Sequence, residues 1–237
     1  MNNDSYLGKE LDLFSKAKNW KNYWKKEIDP YLGSNILDVG SGIGSNLELL
    51  WTNSSQWVCL EPDNKFLSRI ENIRNKIKAN DSVKIIGGNL DSLKIPKESF
   101  DSIIYIDVLE HIFADKKELL NATFYLKPGG HLIILSPAFQ FLYSPFDKAV
   151  GHYRRYTKKT LENLSPWNCK IVKSNYLDSI GCLASLINKL FLRRSNPSIS
   201  QINFWDKKII PLSYFFDRLF LNSFGRSLYF VWKKNLI

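Results

Sequence analysis

Residues 36–44 read Ile-Leu-Asp-Val-Gly-Ser-Gly-Ile-Gly, and they constrain the fold of this 237-residue chain more than any other segment. An apolar run that ends in closely spaced glycines predicts a buried strand followed by a tight turn. The stretch after the turn has helical periodicity, and the free N–H groups at the start of a helix can bind a ligand. The sequence therefore predicts a ligand-binding loop inside a βα unit.

Strand-like and helix-like segments alternate on both sides of this loop. The predicted strands are 35–39, 57–61, 83–86, 102–106, 131–136, 170–176 and 226–233. The predicted helices between them are 45–52, 64–77 and 116–126, and Lys127–Gly130 is predicted to be a turn. Such alternation is typical of parallel βαβ units. We expect an α/β fold with a doubly wound, mostly parallel seven-stranded sheet and helices on both faces.

The two ends of the chain predict additions to this core. Residues 5–29 have helical periodicity and predict an amphipathic helix, with Trp20, Tyr23 and Trp24 in the core rather than over a ligand. Further helices are predicted at 158–163, 180–192 and 202–221, the last broken or kinked at Pro211. We expect one domain, with an N-terminal helical cap (1–34), a binding core (35–138) and a last part (139–237). That last part holds the substrate loop, a helical insertion and the final strands.

The glycine spacing and two carboxylates narrow the ligand of the loop. Gly40, Gly42 and Gly44 follow the pattern GxGxG, whereas a dinucleotide fingerprint, GxGxxG, would need glycine at Ser45. Asp38 lies two residues before the first glycine, where it would repel a pyrophosphate but attract an ammonium or sulfonium group. Glu61 ends the second predicted strand, where a carboxylate can accept hydrogen bonds from ribose hydroxyls.

Together with three later segments, these motifs resemble class I S-adenosylmethionine-dependent methyltransferases. The later segments are Gly88-Asn89-Leu90, residues 100–112 and residues 126–134. Asn89 departs from the family, which usually has an acidic residue there to meet the adenine amino group. The resemblance implies S-adenosylmethionine as cofactor. It also implies a cofactor site made by Asp38, Gly40, Ser41, Gly42, Glu61, Pro62, Asn89, Leu90 and Asp107.

The segment after the fifth strand is the candidate for acceptor chemistry, because ligands bind beyond the carboxyl ends of parallel strands. His152 could take a hydroxyl proton as general base, oriented by Asp147. The predicted substrate-binding residues are Tyr143, Arg154, Arg155 and Tyr156. The alternative is a salt-bridged lid of Asp147 and the two arginines, with His152 bonded to backbone. No Asp, Asn and His cluster with ligand spacing is visible, so no metal is expected.

Positive charge is confined to the C-terminal part of the chain. Residues 1–138 hold 17 Lys and Arg against 18 Asp and Glu, whereas residues 139–237 hold 16 against 5. The excess attracts anions such as phosphates, nucleic acid or acidic lipid headgroups. The stretch 183–194 places Leu183, Leu186, Ile187, Leu190 and Phe191 on one helix face beside basic residues. That face could lie on an anionic membrane, although covering the sheet or a dimer contact is favoured.

These observations predict methylation of a hydroxyl on a small-molecule, sugar or glycolipid-type acceptor, with or without a phosphate group. The acceptor loop is loosely similar to methyltransferases of polysaccharide and glycolipid assembly. An RNA methyltransferase and an inactive cofactor-binding regulatory protein stay as alternatives, and nucleic acid is the less expected partner. Cys59, Cys169 and Cys182 suit a reducing compartment. No signal peptide or spanning run is visible, so we expect a cytoplasmic protein, with peripheral contact to the inner face of the membrane left open.

Overall fold

The computed structural model describes residues 9–53, 55–189 and 198–236, and a seven-stranded sheet forms its centre. The strands are β1 (Asn35–Val39), β2 (Gln56–Glu61), β3 (Val83–Gly87), β4 (Phe100–Ile106), β5 (Leu126–Pro137), β6 (Cys169–Leu177) and β7 (Ser227–Lys234). Their order across the sheet is β3-β2-β1-β4-β5-β7-β6. Strands β1 to β5 pair in parallel, and β7 is antiparallel to both of its neighbours. The predicted mostly parallel sheet is confirmed.

Helices cover both faces of this sheet, as the sequence predicts. They are α1 (Lys9–Ser15), α2 (Lys18–Ile28), α3 (Ser45–Leu50), α4 (Asn64–Lys76), α5 (Asp115–Tyr125), α6 (Pro145–Ala149), α7 (Lys158–Asn163), α8 (Ser179–Ile187), α9 (Ile199–Phe204) and α10 (Ile210–Leu219). Neighbouring strand residues pack into the hydrophobic cores on opposite faces of the sheet: Ile36 belongs to the cluster with α2, and Leu37 to the cluster with α5. The central strands are apolar on both faces because both faces are covered.

The single helix predicted at 5–29 is wrong, because α1 and α2 are separate. Ala17 lies between them, fully buried, with the non-helical dihedrals φ −78° and ψ 77°. The carboxylate of Asp206, far along the chain, accepts hydrogen bonds from the N–H groups of Asn19 and Trp20. It thereby caps the start of α2, which a local helical pattern cannot reveal. Trp20 is buried in the core as predicted.

Two further boundaries differ from the predictions. Residues 127–130 are part of β5 rather than a turn, with a register shift against β4 between Phe100 and Ser102. The predicted helix 202–221 is divided by a π-helical segment, Trp205–Ile209. Pro211 stands in the first turn of α10, where its missing N–H costs no hydrogen bond. Of the predicted helix 180–192, residues 190–192 lie outside the described residues.

Candidate active site

The glycine loop joins β1 to α3 at the carboxyl edge of the sheet. Gly40, Gly42 and Gly44 all have positive φ, at 69°, 54° and 81°. A Cβ on Gly40 would lie only 2.7 Å from a methyl carbon of Val108, so any other residue there would have to displace the Val108 side chain as well as adopt a disfavoured positive φ. The N–H groups of Gly40 and Ser41 donate to the Leu60 carbonyl at 2.8 and 3.2 Å. The loop is therefore held against the end of β2.

Asp38 lies beneath this loop with one oxygen unsatisfied. The residue is fully buried, and its Oδ1 accepts a hydrogen bond from Asn46 Nδ2 at 3.1 Å. Its Oδ2 is buried and has no hydrogen-bond partner among the described residues. Burial raises the pKa of this carboxyl to about 7, although hydrogen bonds from Asn46 and Ser41 act in the opposite direction. A cationic donor beside Oδ2 would satisfy the atom and favour the ionised form.

Glu61, at the end of β2, ties the neighbouring strand to the glycine loop. Its Oε2 accepts from Gly42 N at 2.7 Å and its Oε1 from Asp63 N at 2.9 Å. Burial raises the pKa of Glu61 despite these two hydrogen bonds. Each carboxylate oxygen can accept a further bond, so the group can still meet two ribose hydroxyls. Pro62 follows directly and is exposed at the rim.

The two other strand ends carry the remaining predicted cofactor residues. Asn89 is exposed, and its Oδ1 accepts from Ser92 N at 3.3 Å, which caps the 3-10 turn Leu90–Ser92. The Leu90 side chain is buried in the core, so only its backbone can border a ligand. Asp107 follows β4 with φ 55° and lines a cavity. Surrounding protein raises the pKa of Asp107 to about 6, against the opposing effect of His152, Arg226 and Arg155.

Two adjoining cavities lie on the acceptor side of the sheet edge. The smaller, of about 160 Å³, is lined by Asp107, Glu110, His111, Asp147, His152 and Arg226, among others. The larger, of about 520 Å³, is mostly apolar and runs between α6, α8 and α9. Arg155 and Arg226 line both cavities. A molecule with an anionic group and an apolar part would match this shape and charge.

His152 and Asp147 form a bonded pair in the smaller cavity. His152 Nδ1 lies 2.9 Å from Asp147 Oδ1, and Asp147 also accepts from Arg155 Nε at 2.8 Å and Nη2 at 3.0 Å. Burial alone would raise the pKa of Asp147, but hydrogen bonds from His152, Arg155 and Ser144 hold it well below its usual range. The ionised carboxylate therefore fixes Nδ1 as a donor and leaves Nε2 for a ligand.

The remaining loop residues divide between the cavity and the scaffold. Tyr143 lines the larger cavity, and its hydroxyl donates to the His152 carbonyl at 2.6 Å. Arg154 binds Asp115 at 2.5 Å and the Phe113 carbonyl at 3.0 Å. Tyr156 is buried and donates to the same Asp115 carboxylate at 2.9 Å. The predicted substrate contacts of Arg154 and Tyr156 do not agree with these positions. Tyr143 and Arg155 line a cavity, and their substrate contacts stay predictions.

The alternative prediction, a salt-bridged lid of Asp147 and the two arginines, agrees with part of this geometry. Arg155 does form an ion pair with Asp147. However, the His152 ring bonds to the Asp147 side chain rather than to backbone, and Arg154 pairs with Asp115. Glu110, His111 and His152 also come together with ligand atoms within 4.8 Å of one another. The sequence has no Asp, Asn and His cluster with ligand spacing, and this set of one glutamate and two histidines is brought together only by the fold.

Comparison with known proteins agrees with this arrangement. Residues 37–134 match the sequence profile of a family described as a methyltransferase domain. The core of this chain, residues 37–134, is a methyltransferase domain. The matched segment covers β1 to most of β5 and includes the glycine loop, Asp38 and Glu61. The predicted family and its cofactor are thereby confirmed.

Two kinds of relative extend the comparison. The chain is 26% identical over 121 residues to tRNA U34 carboxymethyltransferases from Shewanella sp. (strain W3-18-1) and Shewanella baltica (strain OS155 / ATCC BAA-1091). The match spans 48% of this chain but only 36% of those relatives. Among solved structures, the [4+2]-cyclase SpnF matches with TM-score 0.63 and 14% identity over 97% of this chain and 95% of that one. A SAM-dependent methyltransferase from Aquifex aeolicus matches with TM-score 0.52 and 16% identity over 66% and 82%.

The side chains and glycines of the methyltransferase core suit the chemical groups of S-adenosylmethionine. The unsatisfied, buried Oδ2 of Asp38 is suited to the ammonium group, Glu61 to the ribose, and the positive-φ glycines leave room for close approach. The resemblance places the adenine near Asn89 and Leu90. Their backbone is available to it, while the Asn89 side-chain oxygen already caps a turn. The same resemblance adds Gly40, Ser41, Pro62 and Asp107 to the predicted cofactor site.

Sequence reasoning missed two cavity residues of this methyltransferase. Glu110 precedes His111 directly, and only the turn after β4 shows that both reach His152. Arg226 precedes β7, an antiparallel strand whose start lies at the same edge as the ends of the parallel strands. Its cation lies 5.1 Å from the centre of the Trp205 ring. The chain order gives no sign of this meeting, because Arg226 is separated from the loop by the helical insertion.

Proposed function

We propose that the chain transfers the methyl group of S-adenosylmethionine to a hydroxyl oxygen of an anionic acceptor that also has an apolar part. The bonded pair of Asp147 and His152 in the smaller cavity is the observation that carries this proposal. The cofactor supplies an activated methyl group, so the protein's tasks are to orient the acceptor, exclude water and accept the hydroxyl proton. His152 Nε2 is the atom proposed to accept it.

The charge and shape of the cavities support the choice of acceptor. Arg226 borders both cavities and can hold a phosphate or carboxylate. Arg155 also borders both, but its guanidinium is bound to Asp147. The larger cavity adds apolar walls from α8 and α9, including Ala184, Ile202 and Phe204. A glycolipid with a phosphate group has both features and a phosphorylated sugar has the anionic one, in line with the loose likeness to enzymes of polysaccharide and glycolipid assembly.

We further propose that the outer face of α8 to α10 rests on an anionic membrane surface, where such acceptors are found. Leu212, Phe215 and Leu219 follow one another at helical spacing on α10 and are 50%, 67% and 64% exposed. Nine of the seventeen exposed large hydrophobic side chains of the described residues lie between 183 and 221, which concentrates them on this insertion. No helix in the described part of the chain is long and apolar enough to cross a membrane.

The test is methyl transfer with the full chain. Protein and S-adenosylmethionine carrying a labelled methyl group are incubated with a bacterial lipid extract, a water-soluble metabolite fraction and total RNA. The proposal expects label in the lipid or small-molecule fraction as a methyl ether. His152→Ala should lower turnover about 10²–10⁴-fold while leaving cofactor affinity unchanged. His131→Ala is the matched control, since His131 lies on β5 and packs against Tyr31.

Transfer to RNA is a second candidate function, favoured by the name of the curated relatives and by the basic C-terminal part. Transfer to RNA would put labelled methyl groups in the RNA fraction, and the affinity of the chain for RNA would fall steeply as the salt concentration rises. Cofactor binding without transfer to any fraction would instead support a regulatory role. Unchanged turnover in His152→Ala would remove this residue as the base.

A further inference from the structure

We propose that Glu110, His111 and His152 bind a divalent transition-metal ion in the smaller cavity. Their ligand atoms lie within 4.8 Å of one another, and His152 Nε2 is 3.9 Å from Glu110 Oε1. The two imidazole rings lie edge to face with their centres 4.6 Å apart. Bonds of about 2.0–2.2 Å place neighbouring ligand atoms about 3 Å apart, so small side-chain rotations would close the site.

Glu110 brings an unsatisfied buried oxygen to this cluster. Its side chain is fully buried, and Oε2 accepts a hydrogen bond from Ser136 Oγ at 2.9 Å. Its Oε1 is buried without a hydrogen-bond partner among the described residues, and it faces His152 Nε2. An unpaired buried carboxylate oxygen is costly. A metal ion between Glu110 and the two histidines would satisfy it.

The second nitrogen of the His152 imidazole is already occupied in the way that a metal-binding histidine requires. His152 Nδ1 is bonded to the Asp147 carboxylate, which orients the ring and leaves Nε2 for the ion. His111 makes a hydrogen bond with the Gly151 backbone, which fixes its ring beside that of His152. A carboxylate behind a ligating histidine raises its basicity and holds its tautomer.

The donor set indicates the kind of ion and leaves room for a substrate. Two imidazoles and one carboxylate suit zinc, manganese, iron or cobalt better than magnesium or calcium, which prefer oxygen ligands. Three protein ligands leave coordination positions open toward the cavity. Asp107 and Asp147 also line this cavity and offset the positive charge of Arg155 and Arg226, which line it as well.

This inference does not depend on the proposed function, but it changes the role of His152 within it. With the ion present, His152 Nε2 would be a ligand rather than the proton acceptor, and the ion would lower the pKa of an acceptor hydroxyl bound beside it so that the proton can leave to water. Acceptors with two neighbouring oxygens, such as vicinal hydroxyls or a hydroxyl next to a carboxylate, would then be favoured because both oxygens can reach the open positions.

The test is titration of the chelator-treated full chain with Co²⁺, followed by visible absorption, and with Zn²⁺ and Mn²⁺ by calorimetry. We expect one equivalent bound, with cobalt bands typical of nitrogen and oxygen ligands. His111→Ala and Glu110→Gln should each weaken binding about 100-fold or more, and Asp147→Asn about 10–100-fold. His131→Ala should bind as the unaltered chain does.

Absence of binding at millimolar metal would overturn the inference, and so would His111→Ala with unchanged affinity. Folding of each variant is checked by thermal melting and by binding of S-adenosylmethionine; His111 is exposed, so its replacement leaves the core intact. Methyl transfer without metal binding contradicts this inference alone. Metal binding without any methyl transfer contradicts the proposed function alone.

Discussion

The cofactor edge and the acceptor cavities differ in how their polar groups are satisfied. At the cofactor edge, the backbone of the glycine loop forms most of the site, and the buried carboxylate of Asp38 keeps one oxygen unsatisfied. In the acceptor cavities, Asp147 is saturated by His152, Arg155 and Ser144, whereas Glu110 keeps its Oε1 unsatisfied. The first region is therefore set by the sheet and its glycines. The second is set by a network of side chains that come from the loop, the turn after β4 and the start of β7.

The largest expected effect removes the backbone geometry of the cofactor edge. Gly42→Trp should reduce affinity for S-adenosylmethionine at least about 1,000-fold, or about 4 kcal/mol, because φ 54° disfavours a side chain and an indole would fill the loop. Calorimetry measures the affinity. Gly129→Ala is the matched control, with φ 77° on β5 near Leu236. Retained affinity in Gly42→Trp would mean that the loop does not hold the cofactor.

The next effect concerns the side-chain network of the acceptor region. Asp147→Asn should lower the free energy of unfolding by about 3 kcal/mol, since it leaves the half-buried Arg155 without its ion pair. Urea denaturation measures this loss, and cofactor affinity should stay unchanged. Adding Arg155→Met should restore part of the stability because no unpaired charge is left. An additive further loss in the double variant would contradict the network.

These two regions also differ in how far the sequence could predict them. Asp38, the glycines and Glu61 are contiguous with strand ends, and strand ends of a parallel sheet share one edge, so their meeting could be deduced. Arg154 and Arg155 are adjacent in sequence, yet one pairs with Asp115 and the other with Asp147. No pattern in the sequence decides between the two orientations.

The same limit applies to the elements around the site. Asp206 caps α2 from nearly the other end of the chain, and Arg226 reaches the cavities through the antiparallel β7. Both contacts depend on how the helical insertion packs, which local periodicity does not encode. The polar contacts that the sequence failed to predict are those between residues far apart in the chain, which the packing of the insertion brings together.

A third expected effect is a pH dependence confined to the cofactor edge. The pKa of Asp38, raised to about 7, means that its ionised form is lost below neutrality. In the unliganded chain this raised pKa makes stability highest below about pH 4, and the contribution is lost as pH rises through about 7. Binding of a cationic ammonium requires the ionised carboxylate. Affinity for S-adenosylmethionine should therefore rise about tenfold per pH unit from pH 5 to 7.

Calorimetry across this pH range, in buffers of different ionisation enthalpy, should also show proton release on binding. Asp38→Asn should weaken binding at pH 7 and leave only a shallow slope, contributed by Asp107 with its pKa of about 6. Asp147→Asn serves as the control and should keep the full slope. A steep slope in Asp38→Asn would assign the titration to another group.

The smallest expected effect is at α1, which touches both regions. Leu11 lies 3.5 Å from the place of a Gly42 Cβ, and Phe14 lines both cavities. Asp12 on this helix pairs with Arg69 on α4, and both side chains are about half exposed. Exposed pairs contribute only about 0–1 kcal/mol because water and salt screen them. Arg69→Ala should therefore lower stability by less than about 1 kcal/mol.

The informative readout of Arg69→Ala is kinetic. If α1 covers the glycine loop when cofactor is bound, a weaker attachment should speed cofactor release in stopped-flow measurements, about threefold for 0.6 kcal/mol. Lys76→Ala, which removes a similar exposed pair between α4 and Glu48, is the control and should leave release unchanged. Equal release rates in all three proteins would mean that α1 stays in place while the cofactor exchanges. The two regions would then open to solvent independently, since the helix that contacts both would not move for either.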